Sequence, residues 1–487
     1  MRRYRLWAPV LLAVVTFVST GCATNPATGK RQLSFYSTEA EIELGRRNDQ
    51  QIVQELGLYP DEEVQAWVRE LGEEIAAGSE RPELPWTFRV VDDPVVNAFA
   101  LPGGFIYITR GILGHLGSEA ELAAVLGHEI GHVTARHGVE RLSKAQLAQA
   151  GLVAGAIAAP ELAYGLGGLA QQGIGLLFLQ FSRDDEREAD ALGFRYMNQA
   201  QYPPTSMVEV FNTLERASGA AEGDRLPVWA ATHPYPDERR QRTRDRISQS
   251  QPGVLYDGPP GRDVYMTRID GITYGADPRQ GFFVGNRFYH PEMDFELEMP
   301  AGWTYQNTRQ AVVAMSPEKD ALVALTLSDE PSPEAASRSF FQEASIRDDG
   351  NVQVGYEGIA RAFQTQNQQT GQTTLRGVTA WTRWGDNLFQ LIGITQPDSW
   401  RRAGRTTIDT VASFRRLSKR KYRDVEAMRI SIVTLDRAMS LEEFDRRYPS
   451  DIDLDRLAVI NQTTPEAQLQ RGDKIKRVQG FNPEREE

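Results

Sequence analysis

Between Glu119 and Arg136 the apolar residues Leu122, Val125, Leu126, Ile130 and Val133 recur at steps of three and four, and the same run carries His128-Glu129-Ile130-Gly131-His132. That spacing predicts one helix. Four residues turn a helix by about 400°, so His128 and His132 lie on one face about one turn apart. Two imidazoles so placed can reach a single zinc ion at roughly 2.0–2.1 Å. Glu129, beside them, can take a proton from water activated by the metal. The chain has only six histidines, and two of them fall here. Any fold built on this helix must bring a third protein ligand to its histidine face, leaving a fourth position open for water or substrate.

The run Arg183 to Gly193 can be helical and holds several carboxylates. Glu186 and Asp190 are four apart and share a face. Glu186 is the expected third ligand of one Zn2+ per chain. Asp190 is expected behind the ligands, accepting the outer N–H of a ligating histidine and so fixing its tautomer. Glu188 lies about 200° round the helix from Glu186 and is expected to point elsewhere.

These motifs resemble the HtpX- and BepA-like zinc metalloproteases, a gluzincin family related to the CAAX prenyl endopeptidases, over roughly residues 35–250. In that family the third ligand is the first Glu of E-x-x-A-D, matched here by Glu186, Ala189 and Asp190. The segment Asn97-Ala98-Phe99-Ala100-Leu101-Pro102-Gly103-Gly104, followed by Phe105 to Thr109, resembles the family's edge strand over the active site. The resemblance makes Asn97, Ala98, Phe99, Ala100, Gly103 and Gly104 substrate-binding candidates. An exposed strand edge pairs with an extended peptide through backbone hydrogen bonds, and glycines let the backbones approach. Thr232-His233-Pro234-Tyr235-Pro236-Asp237-Glu238-Arg239 resembles the family's His-Pro segment, whose histidine can fill the open zinc position. By that resemblance His233 is a fourth ligand at rest, and Arg239 stabilises the tetrahedral intermediate. The fold implied for 35–250 is a mainly α-helical metalloprotease domain with a small β-sheet edge strand.

The N-terminus supplies an address. Arg2, Arg3 and Arg5 precede the apolar run Leu6 to Val18 and then Ser19-Thr20-Gly21-Cys22. A basic start, a short apolar core and small residues predict a secretory signal over residues 1–21 rather than a membrane span. Cys22 is the only cysteine, which excludes an internal disulfide. Gly21-Cys22 resembles a bacterial lipobox, in which Cys22 is lipidated and becomes the mature N-terminus, although Ser19 stands where lipoboxes usually have Leu. Ala23 follows instead of the Asp that resembles an inner-membrane retention signal, so the expected place is an outer-membrane anchor facing the periplasm. Residues 22–34, with Asn25-Pro26 and Gly29-Lys30-Arg31, are expected to be a tether. A net charge of −12 argues against nucleic acid as a partner. The nearly uncharged Gln146 to Phe181, rich in Gly, Ala and Leu, is expected to form a helical hairpin on the catalytic core or over its cleft, with membrane-surface contact as the alternative.

A chain of 487 residues has room for about three domains. Residues 251–287 are rich in Gly, Pro and Asp and are expected as a linker with short strands. Residues 288–418 alternate strands (Phe295 to Leu297, Ala321 to Leu325, Leu388 to Ile392) with helices from Pro333 to Ala344 and Ser399 to Phe414. The run Pro300-Ala301-Gly302-Trp303 gives this α/β unit a faint resemblance to the PsbP-like sandwich, and it holds no catalytic constellation. Residues 425–480 have the order strand, helix, helix, strand and resemble the small βααβ LysM modules, which bind N-acetylglucosamine-containing glycans such as peptidoglycan. Here Asp436-Arg437-Ala438-Met439-Ser440 replaces their usual Gly-Asp-Thr turn. The function expected from all this is zinc-dependent hydrolysis of peptide bonds in misfolded or stalled envelope proteins, in quality control or outer-membrane protein assembly. The protein would reach the membrane through its lipid anchor, and peptidoglycan would be a further partner if the last module binds glycan. The competing reading is a periplasmic chaperone or assembly factor with a structural zinc, but a purely structural site has no need of Glu129 beside the metal.

Overall fold

A computed structural model describes residues 22–158, 180–219, 232–234, 236–368 and 370–486. The chain divides into two units, one of Met1–Gly275 with Arg429–Gln479 and one of Ala276–Met428 with Gly480–Glu487.

The first unit begins with β1 (Cys22–Thr24) and β2 (Arg31–Leu33), which pair antiparallel with Cys22 opposite Leu33. The expected tether is therefore a hairpin. Its turn closes when Asn25 N–H donates to Lys30 O and Gly29 N–H to Asn25 O, with Gly29 at φ +71°, a conformation that glycine adopts freely. Helices α1 (Thr38–Leu56) and α2 (Glu62–Ala77) follow, and the side chains of Ser37 and Asp61 cap their first turns. Strands β3 (Thr87–Val91), β4 (Ala98–Leu101) and β5 (Phe105–Thr109) form a sheet in the order β3-β5-β4. Strand β5 is parallel to β3 and antiparallel to β4, which leaves β4 at an edge. After α3 (Arg110–His115) comes α4 (Glu119–Thr134), the helix expected from periodicity, capped where Ser118 Oγ accepts from Glu121 N–H. Every residue of α4 from Ala120 to Thr134 is buried, which makes it the central helix of the unit.

Helix α4 stops two residues short of its expected end, because Arg136 adopts φ +62°. Its guanidinium is held by Glu41 and the Tyr36 carbonyl, which fixes this strained turn. A new helix, α5 (His137–Ala158), starts at once. It covers the first part of the hairpin expected over Gln146 to Phe181, and 159–179 lie outside the described residues. Then come α6 (Arg183–Gln199), α7 (Ser206–Gly219) and α8 (Pro236–Gln249). The expected linker also contains α9 (Arg262–Ile269), which buries Tyr265, Met266 and Ile269. Among the described residues no helix is long and apolar enough to cross a membrane.

The second unit is β-rich. Strands β6 (Phe282–Val284), β7 (Arg287–His290) and β8 (Phe295–Glu298) lead into β9 (Thr304–Asn307), β10 (Ala311–Met315) and β11 (Ala321–Leu327). Helix α10 (Pro333–Gln342), β12 (Ile346–Asn351), β13 (Ile359–Gln366), β14 (Thr373–Trp384), β15 (Asn387–Thr395), α11 (Trp400–Ala412) and β16 (Arg415–Arg416) complete it. A seven-stranded sheet, β12-β13-β14-β15-β11-β10-β9, shares one core with the sheet β16-β8-β7-β6 through Phe288, Phe295, Leu297, Val323, Leu391 and Phe414. The alternating strands and both helices expected from the sequence are present.

The chain then returns to the first unit as β17 (Arg429–Thr434), β18 (Met439–Ser440), α12 (Leu441–Arg447), α13 (Leu454–Ile460), β19 (Gln468–Leu469) and β20 (Lys474–Gln479), with β17 antiparallel to β20. The expected order of strand, helix, helix, strand is there, with the short pair β18–β19 added. These residues pack with the N-terminal part of the unit instead of standing alone. Lys476 is fully buried and its Nζ donates to the carbonyls of Gly114, Leu116 and Ile460, a full set of acceptors for an ammonium group. Gln462 Nε2 donates to Glu121 Oε2 at 2.6 Å and to Thr213 Oγ1 at 2.8 Å. The C-terminal segment is thus tied to the start of α4. Replacing Lys476 by Met keeps the bulk but leaves three carbonyls unpaired, and urea denaturation of the variant should show a loss of about 2–4 kcal/mol. An unchanged midpoint and slope would refute this tie.

Candidate metal centre

Helices α4 and α6 meet backbone to backbone. A methyl group added at Gly193 would lie 2.9 Å from His128 N, and one at Gly131 would lie 2.9 Å from Ala189 O. Only glycine tolerates this approach, and it sets Glu186 within reach of both histidines. Helix α6 is aimed by a capping box, in which Ser182 Oγ accepts from Asp185 N–H while Asp185 Oδ2 accepts from Ser182 N–H.

His128, His132, Glu186 and His233 converge, with one ligand atom from each lying within 4.8 Å of the others. His128 Nε2 is 3.0 Å from His132 Nε2, 3.5 Å from Glu186 Oε2 and 3.2 Å from His233 Nδ1. Glu186 Oε1 is 3.5 Å from His132 Nε2 and 2.9 Å from His233 Nδ1. Four ligands about 2.0–2.1 Å from a tetrahedral ion lie about 3.3–3.4 Å apart, so these separations fit zinc. The donor set of imidazoles and one carboxylate fits it too. Glu129 is buried beside the cluster, and neither of its carboxylate oxygens has a hydrogen-bond partner among the described residues. His233 Nε2 lies 3.6 Å from Glu129 Oε1. The imidazole therefore stands between the other clustered side chains and the Glu129 carboxylate. The Phe181 ring stacks on His132 with centroids 3.9 Å apart, and its N–H donates to Thr232 O, drawing the His233 segment over the site.

Asp190 Oδ1 is 3.0 Å from His128 Nδ1. Arg239, on the first turn of α8, clamps the acidic side. Its Nε and Nη2 donate to Asp190 at 2.8 and 2.7 Å, and Nη1 lies 2.8 Å from Glu186 Oε2 and 3.4 Å from His233 O. In this arrangement Arg239 holds two carboxylates. Burial alone would raise the Glu186 carboxyl, but Arg239, His233 and the hydrogen bonds from His132 and His233 outweigh it and hold Glu186 well below the usual carboxylate range. Asp190 is lowered in the same way, with Arg239 overcoming burial. Burial pushes His132 well below its ordinary value. An ionised carboxylate and a neutral imidazole are the forms that bind a cation.

Glu188 does point away from the ligands, yet it is part of the site's support. Glu188 Oε2 lies 2.9 Å from His137 Nε2 and accepts from Asn25 Nδ2 at 3.1 Å, while His137 Nδ1 lies 2.9 Å from His132 Nδ1. Neither His137 nor Phe181 is among the residues expected from sequence. A signal for His137 was available, since four of the chain's six histidines fall in this cluster and His137 follows His132 by five residues. The candidate substrate residues lie nearby in the fold. Ala98, Phe99 and Ala100 are on β4, Asn97 immediately precedes it, and Gly103 and Gly104 make the turn to β5 at φ +84° and +101°. Helix α4 packs against β4.

Residues 62–247 match peptidase family M48. The matched segment carries the metal cluster. Over 265 residues the chain is 28% identical to the beta-barrel assembly-enhancing protease of Yersinia pestis, covering 52% of each protein. Over 165 residues it is 38% identical to the mitochondrial metalloendopeptidase OMA1 of Arabidopsis thaliana, covering 34% of this chain and 32% of that one. The chain thus spans between a third and about a half of the length of these relatives. The solution structure of cyanobacterial PsbP from Synechocystis sp. PCC 6803 is similar to 28% of this chain and 94% of that one at 12% identity, with a TM-score of 0.23, too slight a likeness to build on.

Proposed function

We propose that this chain is a zinc metalloendopeptidase of the bacterial cell envelope that hydrolyses peptide bonds in misfolded or stalled envelope proteins. The observation that carries the reading is the convergence of His128, His132, Glu186 and His233 with the buried Glu129 beside them. Bound at this site, zinc supplies Lewis acidity, polarising a peptide carbonyl and lowering the pKa of water. Glu129 takes the proton that the attacking water loses and delivers it to the departing amine as the C–N bond breaks. Asp190 keeps His128 in the ligating tautomer, and Arg239 keeps Asp190 and Glu186 in place. Once substrate displaces His233, the Arg239 Nη1 group that now contacts the His233 carbonyl can turn to the oxyanion. The edge of β4 not paired with β5 is the surface on which an extended peptide adds as a further strand.

The envelope setting rests on the basic and apolar N-terminal run ending at Gly21-Cys22 and on the relationship to a protease named for enhancing beta-barrel assembly. Lipidation of Cys22 gives a periplasmic enzyme anchored to the outer membrane. The module at 429–479 serves the protease as a brace through Lys476 and Gln462, and glycan binding is a further role read from its resemblance alone.

Replacing Glu129 by Gln should leave one zinc per chain and lower peptidase activity by about 10²–10⁴-fold, whereas replacing His132 by Ala should lose both metal and activity. Retained cleavage by either variant, in a peptide assay run beside metal analysis, would reject the mechanism. If His233 blocks the site at rest, His233→Ala should hold its zinc and cleave an unfolded substrate, or itself, faster than the wild type. A slower variant with full metal content would make His233 a participant in catalysis instead. Labelling cells with a palmitate analogue should tag the wild type and leave Cys22→Ser untagged, and an untagged wild type would remove the lipid anchor from this reading.

A further inference from the structure

The support behind His132 differs from that behind His128. The outer nitrogen of His128 meets a carboxylate directly, Asp190 Oδ1 at 3.0 Å. The outer nitrogen of His132 meets a second imidazole, His137 Nδ1 at 2.9 Å. Two ring nitrogens at that distance share one hydrogen, so one must carry it and the other must accept. The far end of His137 decides which. An ionised carboxylate has only acceptors, and His137 Nε2 lies 2.9 Å from Glu188 Oε2, so the His137 hydrogen is on Nε2. Its Nδ1 is then a lone pair, His132 must donate from Nδ1, and His132 Nε2 is left bare on the side where Glu186 and His128 converge. Asn25 Nδ2 donates to the same Glu188 oxygen from the turn of the N-terminal hairpin. His137 is buried, and the left-handed turn at Arg136 that ends α4 sets it behind His132.

We propose that Asn25, Glu188 and His137 form a positioning relay that fixes the tautomer and ring orientation of His132 and thereby sets the zinc affinity of the site. This rests on the zinc reading above. None of the three belongs to the cluster of His128, His132, Glu186 and His233. Outer partners of this kind are worth about 10–100-fold in metal affinity, and the energy is spent on holding the ring, so its loss appears in zinc binding and not only in rate.

The test uses the full-length protein and reads zinc dissociation constants by chelator competition, with the melting temperature of the metal-free form measured beside them. His137→Leu removes the acceptor and should weaken zinc binding about 10–100-fold while the metal-free protein melts near the wild-type temperature. His137→Asn places an oxygen where Nδ1 stood and should recover most of that loss. Glu188→Ala should weaken binding in the same direction, and it carries the test should His137→Leu fail to fold. Asn25→Ala should give the smallest change of the set. Zinc affinity within about twofold of wild type in both His137→Leu and Glu188→Ala, well below the effect such partners usually have, would overturn the relay and leave the zinc assignment standing. So would a loss matched by an equal fall in metal-free stability, which would mark these contacts as packing between α5 and α6. A wild-type protein that binds no zinc would overturn the function itself.

Discussion

The metal site depends first on an approach of two helices that side chains would forbid. Packed helices usually keep their axes 8–10 Å apart, and a glutamate and two histidines projecting across that gap have several ways to miss one another. Here Gly127 and Gly131 on α4 face Gly193 and Ala189 on α6 almost without intervening atoms. The backbones themselves then serve as the spacer. With so little between them, the helices have little room to slide, and Glu186 reaches His128 and His132 from a fixed distance. Because α6 is seated so closely, its other carboxylates are committed as well, Asp190 to His128 and Arg239, Glu188 to His137 and Asn25.

Charge makes the same site costly to build without an ion. Glu186 and Asp190 are buried against the buried guanidinium of Arg239, and Glu129 is buried beside them; among the described residues no other arginine forms an ion pair with these three. Counting formal charges, three negatives face one positive, and burying such an excess is strongly unfavourable unless it is paired. A divalent cation held by the cluster would balance it. This explains why Arg239 is occupied with carboxylates at rest, since releasing it wholly toward substrate would deepen the imbalance. It also gives the neutral state of His132 a purpose beyond ligation, because the cation supplies positive charge that imidazolium would otherwise duplicate.

What the sequence showed clearly were local features with a strict period. The i, i+4 spacing of His128 and His132 and of Glu186 and Asp190 belongs to one helix each and needs no knowledge of the rest of the chain. The strands from Phe295 to Ile392 were legible for the same reason. What was not legible depended on partners far away along the chain. Asn25, Pro26 and Gly29 are residues of flexible linkers and of tight turns alike, and the choice is made by Asn25 binding Glu188, 163 residues on. Lys476 and Gln462 look like surface residues until their acceptors on Gly114, Leu116 and Glu121 are known. Helix α9 is only eight residues long and opens at Gly261 without a side-chain cap, so neither period nor punctuation announced it. For Arg239 the place was legible but its contacts with Asp190 and Glu186 were not, because a guanidinium gives no sequence sign of which anions it already holds.

The compact unit that holds α4 reaches beyond the segment 35–250 that the resemblance covers. The hairpin at 22–33 reaches the outer nitrogen of His132 through Glu188 and His137. The module at 429–479 grips the opposite part of the same helix, where Ser118 and Glu121 form its first turn, through Gln462, and it holds the preceding α3 through Lys476. Both lie in the compact unit that holds α4. A helix buried along its whole length has no solvent-facing side on which errors of position can relax, so whatever fixes its two ends also fixes the ligands between them. On this view the segments before and after the motif-bearing region help to set the geometry of the ligands, through hydrogen bonds that reach both ends of the helix.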